Sequence, residues 1–337
     1  MVTECQQVLD AKTPEELFGK QEKRSKNIYR HFARHVHPDM FTTPEEKKDA
    51  ERAFIRLGEL WALYQEKSGS ATTSATAADT VKTKKHTYTL GNKVYSDDVF
   101  AHYEATYDAG HENARLLIVK SPKDADLGNN HASALKKLAE VHEQFRDFFP
   151  DLIETFRYRQ PGGTDHFAVS QKIPEGFVPF TRILEVYPKG IDARDLAWIF
   201  RRMLIAVGNA HDVGLIHGAP DLNAFYIKPD VHGIILSNWQ YSVETGKALS
   251  AIPAAIHDDY PQSVFDKKPV DYTLDIRLIA KTAARLFGPD TPRQFTSFMN
   301  GCMTTKTPEA RYLLGEFEEM LERLYGPPAF HKFTLEP

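Results

Sequence analysis

Cysteine is nearly absent: 337 residues contain two, Cys5 and Cys302, far apart and without metal-like spacing. Neither a disulfide framework nor a cysteine-based zinc site is expected, and a reduced, cytoplasmic protein is the simplest reading. Long apolar runs are missing too. No stretch approaches the roughly 18 uninterrupted apolar residues of a membrane span, so no membrane partner is expected. The opening MVTECQQVLDAKTPEE has neither a basic start nor an apolar core and does not read as a secretory signal. A net charge of −4 leaves no chain-wide basic excess for a nucleic-acid partner. No internal repeat is evident.

What is present is a composition of 42% hydrophobic and 26% charged residues, that of a globular protein, on a chain long enough for two domains. The boundary is the Ser/Thr/Ala/Lys-rich stretch KSGSATTSATAADTVKTKK, which predicts a flexible linker over 68–85 between domains 1–67 and 86–337. In the first domain, Thr13-Pro14-Glu15-Glu16 and Thr43-Pro44-Glu45-Glu46 have the form of capping boxes with proline at the first helical position. A short helical turn ending near Gly19 follows the first box. Ile28, Tyr29, Phe32, Ala33 and Val36 then make one apolar stripe, and Ala50, Phe54, Leu57, Trp61 and Tyr64 another. Two antiparallel amphipathic helices joined by 37–43 follow. Basic residues crowd the first helix, with Lys26, Arg30 and Arg34 four apart on one face and Lys23 beside them.

Between these helices sits His37-Pro38-Asp39. Taken alone, the tripeptide reads as an ordinary inter-helix turn beside a solvated basic face. In this setting, over residues 13–67, it resembles a J domain. The resemblance implies that His37, Pro38 and Asp39 signal to a DnaK-type chaperone and that Lys23, Lys26, Arg30 and Arg34 dock it. The physics agrees: Pro38 restricts the residue before it, an exposed aspartate suits a charge-assisted pair with an arginine, and a cationic face speeds encounter with an acidic partner. No Gly/Phe-rich stretch and no array of CxxC pairs is present, so the client-binding parts of larger family members are missing.

The second domain predicts strands at 86–91, 94–107 and 114–120, a helix at 130–149, and strands at 153–159 and 166–173. Mainly helical structure follows from Asp192, broken by short strands at 225–228 and 233–237. A sheet lobe followed by a helical lobe is an α+β architecture. From about Tyr88 to Tyr325 the order resembles a protein kinase. Leu116 to Lys120 would be the lysine strand, Ala134 to Leu138 part of the C-helix, and Gly214-Leu215-Ile216-His217-Gly218 the catalytic loop. Asp275 in TLDIRL would brace that loop, and Cys302, Pro308 and Arg311 resemble the family's late signature.

Phosphoryl transfer needs a glycine loop over the phosphates, a lysine, a base and metal ligands. Lys120 is present, but Tyr95-Ser96-Asp97-Asp98-Val99 stands at the glycine loop, where acidic residues would repel phosphate. In register, His131 replaces the C-helix glutamate, Ala219 after His217-Gly218 replaces the base, and Ala224 replaces the metal-binding asparagine. Asn238-Trp239-Gln240 stands for Asp-Phe-Gly, and Ile118 would crowd the adenine. The resemblance therefore implies a pseudokinase with no catalytic residues. Asp221 and Asn223 are open to two readings, a polar turn or shifted substitutes for the lost pair. Lys120 is likewise either structural or nucleotide-binding. Fourteen histidines invite a metal search, but none has a cysteine partner, and neither metal nor cofactor is expected. The expected function is a J-domain co-chaperone whose kinase-like domain scaffolds an unknown client protein. The alternative is an atypical kinase or nucleotidyl transferase using Lys120 with Asp221 or Asn223.

Overall fold

A computed structural model describes residues 4–19, 22–36, 41, 43–70, 80–159, 163, 165–307, 309–327 and 329–335. The chain divides into two compact units, Met1–Ala77 and Ala78–Pro337.

The first unit is helical: α1 Glu4–Asp10, α2 Pro14–Phe18, α3 Glu22–His35 and α4 Pro44–Ser70. At α2, Pro14 takes the first helical position, and Glu16 reaches back to accept from the Lys12 N–H at 2.9 Å; Thr13 makes no side-chain cap. Val8, Phe18, Val36, Ala50, Ala53, Leu57, Leu60 and Tyr64 are buried together. Ser25, early in α3, donates to the Phe18 carbonyl at 3.0 Å and accepts from the Tyr64 hydroxyl, late in α4, at 2.8 Å. Val36 and Ala50 meet in the same core at the opposite ends, so α3 and α4 run antiparallel. Two expectations change. Helix α1, with only Cys5 and Val8 buried, is too short for its periodicity to register. On α4, Phe54 is 37% exposed, and Ala53 and Leu60 fill the core instead.

The second unit begins earlier than expected. Within the stretch read as a linker over 68–85, α4 continues to Ser70 and β1 (Thr80–Lys82) pairs antiparallel with β2 (Thr87–Ser96). The physical reason is edge pairing: Val81, the one large apolar residue there, packs with Tyr88 and Tyr107, which composition cannot reveal. Strands β3 (Phe100–Tyr107), β4 (Glu112–Val119), β5 (Asp151–Arg159) and β6 (Asp165–Lys172) complete an antiparallel sheet in the order β1-β2-β3-β4-β6-β5. Helix α5 spans Ala125–Leu138, where 130–149 was expected. The chain turns after Leu138 so that Val141, Phe148 and Phe149 can enter the core, the last two around a 3-10 turn at Glu143–Phe148. Gly128 lets α5 lie close on the sheet, since a Cβ there would meet Phe167 at 2.6 Å.

The helical lobe is built on α7 (Ala193–Asp212), whose start is capped by Asp192 accepting from the Arg194 N–H at 2.7 Å. Short elements precede and follow it: β7 Val178–Pro179, α6 Thr181–Val186, β8 Leu215–Ile216, β9 Phe225–Lys228, β10 Gly233–Leu236, β11 Val243–Glu244 and α8 Gln262–Phe265. Helices α9 (Thr273–Ala284), α10 (Arg293–Thr304) and α11 (Ala310–Tyr325) close the lobe. Cys302 is buried in α10, Arg311 pairs with Asp212, and Pro308 lies outside the described residues.

Candidate functional site

The loop after β8 is held from below by Asp275, fully buried on α9. Its Oδ2 accepts from the His217 N–H at 2.7 Å and from His211 Nε2 at 3.1 Å, and its Oδ1 accepts from the Gly218 N–H at 2.9 Å. Burial alone would raise this carboxyl. The hydrogen bond and charge of His211, together with the Gly218 N–H, outweigh it and hold Asp275 below its ordinary range. Gly218 is required here: its φ is +81°, and a Cβ would stand 2.6 Å from the Tyr241 carbonyl. Asp275 thus braces the loop as its place in the sequence implied.

Above the loop, neutral side chains link the lobes. His131 of α5 accepts the Trp239 N–H on Nδ1 at 3.0 Å, which leaves Nε2 to donate to Gln171 Oε1 at 2.9 Å. Gln171 donates to Ser237 Oγ at 3.0 Å, and His217 Nε2 donates to the Ser237 carbonyl at 2.7 Å. Burial pushes His131 down to about 4, with only partial compensation from Gln171, and burial also lowers His217. Both rings are therefore neutral at physiological pH. Asn130, next on α5, donates to the Gln240 and Ser242 carbonyls at 3.0 and 2.7 Å. A fully engaged His131 leaves no nitrogen for Lys120.

Lys120 itself is exposed at the end of β4, and its Nζ donates to the Asp97 carbonyl. Alternation along β4 places Leu117 and Val119 with Ala132 of α5, and Ile118 with Tyr88 and Ala168 on the other face. Ile118 therefore does not face α5, and the expectation that it crowds an adenine is corrected.

The turn between β2 and β3 fills the cleft. Asp97 Oδ1 accepts the Val99 and Phe100 N–H groups at 2.8 and 2.6 Å, and Oδ2 accepts from His102 Nε2 at 2.9 Å and Gln240 Nε2 at 3.4 Å. Burial opposes ionisation of Asp97, but His102 and the two backbone donors win and lower it. Asp98 accepts the Ala254 N–H at 2.8 Å, across to the helical lobe. Tyr95 stacks on His102 at 4.0 Å, and its hydroxyl accepts from Asn238 Nδ2 at 2.7 Å and bonds to Tyr226. Asn238 sits in the left-handed region, φ 62°, and also donates to the Asn223 carbonyl at 3.0 Å.

Asp221 and Asn223 form the polar turn. Asp221 Oδ1 accepts the Asn223 and Ala224 N–H groups at 2.9 and 3.0 Å, the geometry of an Asx turn. Burial raises the Asp221 carboxyl; these donors offset part of the rise, and the negative charge of Asp97 adds to it. Ala219 and Ala224, which the kinase resemblance set at the base and metal positions, are buried apolar residues. Buried Asn238 Oδ1 and Gln240 Oε1 have no partner among the described residues, so a bound donor or cation would satisfy them. Sequence reasoning missed Gln171 and Ser237 as links and Tyr95, His102 and Tyr226 as the filling of the cleft. A polar glutamine on a buried run of β6 was the available signal.

In the first unit, His37, Pro38 and Asp39 lie outside the described residues, as do the side chains of Lys23, Lys26, Arg30 and Arg34.

Among solved structures, vaccinia related kinase 3 matches with a TM-score of 0.57 at 12% identity, over 78% of this chain and 95% of that one. The BubR1 kinase domain matches with a TM-score of 0.55 at 12% identity, over 78% and 92%. The chain thus contains a protein-kinase-like fold. No protein-family model and no curated protein matches the sequence.

Proposed function

We propose that this protein recruits a DnaK-type chaperone through its first unit and holds a client protein on a kinase-like unit that does not transfer phosphate. The observation that carries the first half is placement: His37-Pro38-Asp39 stands between the end of α3 at His35 and the start of α4 at Pro44, two antiparallel helices of which the first is basic. The second half is supported by a cleft occupied by its own side chains, with alanine at the base and metal positions. The transferase alternative draws no support from its residues, because Asp221 is spent on its own turn and Lys120 on the Asp97 carbonyl. Among the described residues no helix is long and apolar enough to cross a membrane.

Steady-state ATP hydrolysis by a DnaK-type chaperone tests the first half. The full chain accelerates it, and His37→Gln and Asp39→Asn abolish the acceleration; equal stimulation by all three would remove the reading. Incubation with labelled ATP and magnesium or manganese tests the second half. No label enters protein, and incorporation that vanishes in Lys120→Ala would promote the transferase.

A further inference from the structure

Helix α3 carries His31 and His35 four residues apart, on one face. Their rings lie 4.3 Å apart between centroids, tilted by 36°. Glu4, in the first turn of α1, brings a carboxylate to the same place, with Oε1 2.9 Å from His31 Nε2. One ligand atom from each of the three lies within 4.8 Å of the others. We propose that Glu4, His31 and His35 bind a divalent transition-metal ion, zinc in particular, which cross-links α1 to α3.

Orientation of the donors supports this. His35 Nδ1 lies 2.8 Å from the His31 carbonyl. A carbonyl only accepts, so Nδ1 carries the proton and Nε2 keeps its lone pair free for a ligand. A backbone hydrogen bond of this kind commonly fixes the tautomer of a metal-binding histidine. His31 Nε2 now donates to Glu4. The ion takes the place of that proton, which moves to Nδ1 through solvent. Tetrahedral coordination with zinc bonds of about 2.0–2.2 Å sets the nitrogen–oxygen separation near 3.4 Å. The pair therefore has to open by only about half an ångström, a side-chain rotation open to groups that are 55% and 35% exposed. Two imidazoles and a carboxylate suit zinc, nickel or copper better than magnesium or calcium. Three protein ligands leave a fourth position for water. Spacing along the sequence could not disclose the site, because its carboxylate comes from a different helix 27 residues away.

The site is independent of the chaperone reading and tests separately from it. Zinc chloride is titrated calorimetrically into the full chain, and cobalt is followed by its visible absorption. One saturable site per chain is expected, with the intense visible bands of tetrahedral cobalt. His31→Asn and His35→Asn each weaken zinc binding at least about tenfold, and Glu4→Gln does so to a smaller degree. The replaced rings are outside the core, and far-ultraviolet circular dichroism checks that the helices persist. The double variant His111→Asn/His257→Asn, at exposed sites elsewhere, binds as the wild type does. Absence of saturable binding, unchanged affinity in His35→Asn, or loss of binding in the double control would each overturn the site.

Discussion

Removing the Asp275 carboxylate tests how the helical lobe holds its loop. In Asp275→Ala the His217 and Gly218 N–H groups, now bonded at 2.7 and 2.9 Å, lose their acceptor in a site closed to water. Each buried donor left unsatisfied costs about 1–3 kcal/mol, so the pair costs about 4 kcal/mol. His211 adds to this, because its Nδ1 is already without a partner among the described residues and Nε2 would join it. In a domain of this size each kcal/mol lowers the melting temperature by about 2–4 °C, which predicts a fall of about 8–16 °C. Asp275→Asn retains one acceptor oxygen but turns an amide donor toward a donor, and it should lose about half as much. Urea titration followed by tryptophan fluorescence measures both, since Trp239 is buried beside the loop. The pH dependence has a definite sign. Asp275 is held below its unfolded value, so its contribution is complete above about pH 4 and is lost as pH falls through the lower, folded value. The wild type should therefore lose stability below about pH 4 more steeply than Asp275→Asn. A loss under about 1 kcal/mol in Asp275→Ala would refute the bracing role.

Two further outcomes follow from the same region. His131 is neutral and pushed down to about 4, so it takes up a proton more readily unfolded than folded. Stability should fall by about 1.4 kcal/mol per unit as pH drops from about 6.5 toward 4, and His131→Asn should flatten that slope; parallel pH profiles would contradict it. Gly218→Ala forces a side chain into a left-handed backbone and against the Tyr241 carbonyl. It should cost about 2–3 kcal/mol, read from the urea midpoint, and an unmoved midpoint would count against that strain.

The sequence disclosed elements whose pattern is local. Phe225–Lys228 is the strand expected, and Asp275 fell in register because a helix start fixes its own phase. Two features escaped because their causes are tertiary. Helix α5 ends at Leu138 since the following residues must reach the core, and β1 forms because an edge strand was free to receive it. At the site, register set His131 at the C-helix glutamate position, but its link to Gln171 spans 40 residues and the link onward to Ser237 spans 66. Nor does any pattern in the chain announce that Tyr95 stacks on His102, a pairing set by the bulged register of β2 on β3.

The acidic turn that closes the cleft has a consequence for recognition. Asp98 on the Ala254 N–H, Asp97 on Gln240 and Tyr95 on Asn238 tie the sheet lobe to the helical lobe. A kinase that must admit and release nucleotide keeps two shapes close in energy. In the proposed function, lobes tied in this way would offer a client a preorganised surface, which loses little affinity to being immobilised.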